Sequence, residues 1–107
     1  MGRVLVWNDW NEAHIAKHGV DRHEVRDVMA GPGGRVPRGR GDGKFLVAGV
    51  TRAGRHLQVI FVSLADEQVD VNLLEYEERV RFEQGDEAVY VIHARELKPR
   101  ERTRGRR

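Results

Sequence analysis

Cysteine is absent from all 107 positions. Disulfides and thiolate metal sites are thereby excluded, and the composition suits a reducing cytoplasm. Aromatic residues make up only 7%. The rings that could stack on bases (Trp7, Trp10, Phe45 and Phe61) are all plausible core residues, so recognition by stacking is expected to be thin. No apolar run approaches the roughly 18 residues of a membrane span. The opening Met-Gly-Arg-Val-Leu-Val-Trp has neither the apolar stretch nor the cleavage site of a secretory signal. A single cytoplasmic domain over residues 1–107 is expected, with one small core beneath a surface rich in charge.

The charge itself is partitioned. Net charge is only +2, yet residues 66–87 hold nine acids against Arg79 and Arg81, so the remainder carries +9. Such a pattern suggests a nucleic-acid-facing body with a separate acidic element. One expectation is that residues 66–86 lie over the basic face as an internal mimic of RNA; the plainer one is that they only solvate. Arg35, Arg38, Arg40, Lys44, Arg52 and Arg55 form one basic stretch, and the tail from Lys98 through residues 103–107 forms another. Both suit polyanion binding through counterion release, without sequence information.

Arg3 to Trp7 reads as a first strand. Asp9 with Glu12, and Asp21 with Glu24, have capping spacing for two helices, the first closed by Lys17-His18-Gly19. Val20 and Val25 occupy staple positions, and Val25, Val28 and Met29 share a face. Residues 31–43 contain six glycines and two prolines and read as a basic loop without a phosphate-loop signature. Lys44–Arg52 and His56–Ala65 alternate as two strands turned at Ala53-Gly54. In the acidic segment, Asn72 with Glu75 offers a third cap. Leu73, Tyr76 and Val80 then fall at helical spacing, supported by Glu75–Arg79 and Glu77–Arg81 pairs, with a hairpin as the competing reading.

The last strand, Ala88 to Arg95, holds the main candidate site. Strict alternation places Val89, Val91, His93 and Arg95 on one face. Arg95 could clamp a phosphate while His93 exchanges a proton; alternatively, Arg95 reaches a carboxylate and His93 is an ordinary surface residue. His14 and His18 have metal-ligand spacing, but a third ligand would have to come from Asp21 or His23, and no glutamate follows His14. No metal and no cofactor are therefore expected.

Three stretches carry a family resemblance. Val6-Trp7-Asn8-Asp9-Trp10-Asn11-Glu12 through Lys17-His18-Gly19-Val20, then Gly54-Arg55-His56-Leu57-Gln58-Val59-Ile60-Phe61, and finally Ile92-His93-Ala94-Arg95 with Glu101-Arg102 resemble the BrnT-like toxins, ribonucleases of type II toxin–antitoxin modules. The chain departs from the family pattern at His93, where serine is usual, at Lys98, where threonine is common, and in its acidic insertion 66–86. The resemblance implies a RelE-like α+β fold, two N-terminal helices packed on a small antiparallel sheet, with the insertion before the last strand as a helix or hairpin. It also implies metal-independent RNA cleavage through 2′-hydroxyl attack, and a ribbon-helix-helix antitoxin partner with which a heterotetramer could form. Assigned on chemistry at matched or nearby positions, Arg95 would meet the phosphorane, His93 or His18 would move the proton, and Lys17, Arg52, Arg55 and Arg102 would hold RNA phosphates. The competing function is a non-catalytic module that binds nucleic acid or an antitoxin.

Overall fold

A computed structural model of the chain describes residues 2–32 and 37–102. Strand β1 (Arg3–Val6) leads into helices α1 (Asp9–Ala16) and α2 (Arg22–Ala30). Strands β2 (Arg38–Gly39), β3 (Lys44–Val50) and β4 (His56–Ser63) follow. Two 3-10 turns, Asp66–Gln68 and Val71–Leu73, precede α3 (Tyr76–Glu83); β5 (Glu87–Glu96) and α4 (Pro99–Arg102) close the described chain. Arg35 and the tail 103–107 lie outside the described residues.

The expected α+β class is observed, with a correction to the sheet. Its order is β1-β5-β4-β3-β2, and it is mixed rather than antiparallel, because β1 runs parallel to β5. A parallel pair needs a long crossover, and here nearly the whole domain lies between the two strands. The basic loop also contributes more than expected: Arg38 and Gly39 pair with Leu46 and Phe45 as an edge strand.

Two apolar clusters occupy opposite faces of the sheet. On one, Ile15 of α1 and Val25 and Val28 of α2 bury against Leu5, Val47, Val59, Phe61 and Val89. On the other, Val4, Val6 and Ala88 are covered by Leu74, with Val69 and Phe82 beside it. The acidic segment is thus anchored as a lid on the β1–β5 edge, and α3 is the helix alternative of the two expected. Its anchor is Leu74; Leu73 and Tyr76 are exposed.

The caps explain where the helices begin. Asp21 and Glu24 cap α2 reciprocally, at 2.9 and 3.1 Å, and Gly19 takes the left-handed conformation (φ 72°) that closes the first helix. At α1 the cap is Asn8 with Asn11, at 3.1 and 2.8 Å, not Asp9 with Glu12. At α3 it is Glu75 with Glu78, one turn later than Asn72 with Glu75. Arg81, expected to pair with Glu77, instead bonds Asp86 at 3.1 Å.

Candidate functional site

The site follows from the shortness of β1. Four residues pair only with Glu87–Tyr90, so among the described residues no strand flanks β5 on that side from Val91 onward. Helix α1 takes the vacated place. The Asn11 side chain, fully buried, donates through Nδ2 to the carbonyls of Val6 and Val91, both at 3.1 Å. One amide thus satisfies the end of β1 and the uncovered edge of β5 together. Ile15 then points into the core. Trp10 and His14 of α1, with His18 just past its end, are spaced by four residues and lie on the side that meets Tyr90 and His93.

A bulge in β5 brings His93 to that side. Phe61 pairs with Val91 while Ile60 pairs with His93, so Ile92 is the extra residue. Val89, Val91 and Ala94 face the α1–α2 core, whereas His93 and Arg95, opposite Ile60 and Gln58, turn to the other face. The expected common face for Val89, Val91, His93 and Arg95 is therefore corrected. His93 and Arg95 do share a face, but not with the valines.

The result is a continuous set of rings. Tyr90 lies 6.5 Å from Trp10, and Trp10 stacks on His14 at 5.0 Å with planes 6° apart. His14 and His93 have centroids 5.6 Å apart, with His14 Nε2 and His93 Nδ1 separated by 3.4 Å. His18 meets the His93 ring edge-on at 4.8 Å. Tyr90 Oη donates to Asn8 Oδ1 at 2.9 Å, tying this wall to the cap of α1. Trp10 is 58% exposed, a correction to its expected place in the core. Burial, then the neighbouring His18, His14 and Arg95, push the His93 imidazole below its ordinary value. A neutral imidazole at physiological pH offers a lone pair, usable as a base or as a ligand.

The cations are arranged differently from expectation. Arg95 makes a two-pronged contact with Glu101, Nη1 to Oε1 at 3.1 Å and Nη2 to Oε2 at 2.8 Å, which is the carboxylate alternative. That contact and the Lys98 amide hold the Glu101 carboxyl down at about 2. Arg55 joins the Gly19 carbonyl (2.9 Å), Glu24 (2.6 Å) and Glu96 (3.3 Å), and its own pKa rises, Glu24 being the main cause. Arg102 bonds the Leu97 carbonyl and faces Glu96 at 3.7 Å. Arg52, almost wholly exposed, lies 3.7 Å from Asp27. The carboxylates paired with Arg52, Arg55, Arg95 and Arg102 are those of Asp27, Glu24, Glu96 and Glu101, all outside residues 66–86, whereas Glu75 of the acidic segment faces Arg22 at 3.8 Å.

Of the expected site residues, His93 and His18 come together, Lys17 adjoins His18 in the chain, and Arg95 lies two residues from His93 on the same face. Arg52, Arg55 and Arg102 lie toward the hairpin tip and the end of β5, engaged with carboxylates. Sequence reasoning missed Trp10, Asn11 and Tyr90, and it left His14 apart from His93. The signal available was the spacing of Trp10, His14 and His18 by four, which marks one helical stripe. The chain matches no protein-family model and no curated protein.

Proposed function

We propose that the chain is an RNA-cleaving enzyme, the toxin of a type II toxin–antitoxin pair with a RelE-like fold. The observation that carries this reading is the convergence of three imidazoles beside an exposed tryptophan. Trp10 and Tyr90 offer π-faces on which an unpaired base can stack. The imidazoles adjoin that wall, as cleavage beside a stacked base would require. In the proposed reaction a neutral imidazole, His93, takes the proton of the ribose 2′-hydroxyl as that oxygen attacks the adjacent phosphorus. The bond to the 5′-oxygen breaks, and a protonated imidazole, His18, returns a proton to the leaving oxygen. The products are a 2′,3′-cyclic phosphate and a 5′-hydroxyl, and no metal takes part.

Lys17 supplies charge near the phosphate. Arg95 acts here as a positioning residue, because Glu101 occupies its guanidinium; it fixes α4 and the end of β5. A ribbon-helix-helix antitoxin is the proposed partner.

The test is incubation of the untagged protein with single-stranded RNA in excess chelator. Cleavage to cyclic-phosphate ends, reduced by about 100-fold or more in His93→Ala and His18→Ala, is the expected result. Tight RNA binding with no cleavage would replace this reading with the non-catalytic binding module.

A further inference from the structure

We propose that His14, His18 and His93 also form a binding site for a divalent transition-metal ion of the zinc class, whether or not the chain cleaves RNA. One ligand atom from each imidazole can be chosen so that all lie within 4.8 Å of one another. Tetrahedral zinc with bonds of roughly 2.0–2.1 Å separates neighbouring nitrogens by about 3.3 Å. His14 Nε2 and His93 Nδ1, at 3.4 Å, already span one such edge. These two rings are held from outside the site: His93 by its strand, His14 by the stacked Trp10 indole. His18, exposed and just past the end of α1, is the ligand that can swing inward to complete the set.

The donors decide the metal. Three imidazoles and no carboxylate disfavour calcium and magnesium, which take oxygen, and suit zinc, copper(II) and nickel(II). The nearest fixed cation on the same strand face, Arg95, is offset by its contact with Glu101, which lowers the repulsion an incoming ion would meet. Three protein ligands leave the fourth position to water or to a substrate oxygen. The third ligand arrives from a strand 75 residues beyond His18, not from the neighbouring Asp21 or His23. Asp21 caps α2, and His23 lines a separate groove with Glu12, Arg22 and Arg26.

Metal and proton would compete for the same lone pairs, so in a chain that cuts RNA the ion is an inhibitor. The test uses untagged, chelator-stripped protein, titrated calorimetrically with zinc chloride without RNA. One ion per chain is expected, weakened at least about tenfold in His14→Ala, His18→Ala and His93→Ala and unchanged in His23→Ala. Cobalt(II) should give the intense visible bands of a four-coordinate site. His18 is exposed, so His18→Ala should keep the native circular dichroism and is the deciding variant. Wild-type affinity in folded His18→Ala, equal loss in His23→Ala, or no zinc bound by the wild type would each overturn the site. Zinc binding in a chain that never cleaves RNA would uphold the site and reject the ribonuclease reading; chelator-resistant cleavage without zinc binding would do the reverse.

Discussion

Replacing Asn11 by alanine should damage this protein more than any other single polar substitution in α1. The side chain is fully buried and makes three hydrogen bonds, to the carbonyls of Val6 and Val91 and from the Asn8 amide. The Asn8 amide lies near solvent and can turn to water, so its loss costs about 1 kcal/mol, as for a weakened cap. The two carbonyls are less fortunate, and each buried acceptor left without a donor costs about 1–2 kcal/mol, a carbonyl being less costly to leave unpaired than an amide. The total is roughly 3–5 kcal/mol, a large part of the ~5–15 kcal/mol that holds a domain of this kind folded. Urea denaturation followed by circular dichroism would register it. With a slope of about 1.5 kcal/mol per molar, the midpoint should fall by roughly 2–3 M. Asn11→Asp should be at least as unstable near neutral pH, because a carboxylate fills the space but cannot donate to either carbonyl. If Asn11→Ala unfolds within about 1 kcal/mol of the wild type, and Asn11→Asp with it, the bridging role assigned to this amide is wrong.

Gly49→Ala places a Cβ 3.2 Å from Val28 Cγ1 and 3.6 Å from the Val28 carbonyl; β3 and α2 must part slightly, and a melting temperature lower by roughly 4–8 °C, about 1 kcal/mol, is expected by calorimetry. Glu101, held at about 2, has a folded pKa below its unfolded value, so the stabilisation from its pairing is present above about 4.5 and is lost as pH falls through about 2. Carboxyl NMR should show that low midpoint, moving up in Arg95→Gln; titration of Glu101 near 4.5 in the wild type would contradict the two-pronged contact. Trp10→Ala should change stability by less than about 1 kcal/mol, since the ring is mostly exposed, yet weaken binding of uncleavable 2′-O-methyl RNA by about 1–3 kcal/mol in fluorescence anisotropy. Unchanged affinity would remove the stacking wall from the proposal.

The parts of the fold legible in the sequence are those set by local chemistry. Asp21 with Glu24, Gly19 and Gly54 each needed only their neighbours to be understood. Asn8 with Asn11 was open to the same logic, but Asp9 with Glu12 has the same spacing one residue on, and spacing does not rank them. What ranks them is Asn11's second task at the β5 edge, which depends on β1 ending at Val6. The bulge at Ile92 was hidden for a related reason. Val-Tyr-Val-Ile-His-Ala-Arg alternates smoothly, and only the register against β4 shows that one residue is skipped. The expected parity was therefore wrong by one across that point, and His93 was placed with the valines rather than with His14 and His18. Arg95 illustrates a different limit: its attraction to an anion was legible, but whether that anion is RNA or Glu101 depends on where α4 returns.

The parallel pairing of β1 with β5 has a consequence for the order of events during synthesis. His14 and His93 are separated by 79 positions, and Asn11 and Val91 by 80. Closing so long a loop is among the slower steps available to a small domain. The hairpin of β3 and β4 can form from local contacts, but the imidazole cluster requires both ends of the chain. A ribosome must therefore extrude β5 completely before the cluster can assemble, so in nascent chains lacking it the three imidazoles do not meet. Whatever His14, His18 and His93 do together, they do only once β5 is in place.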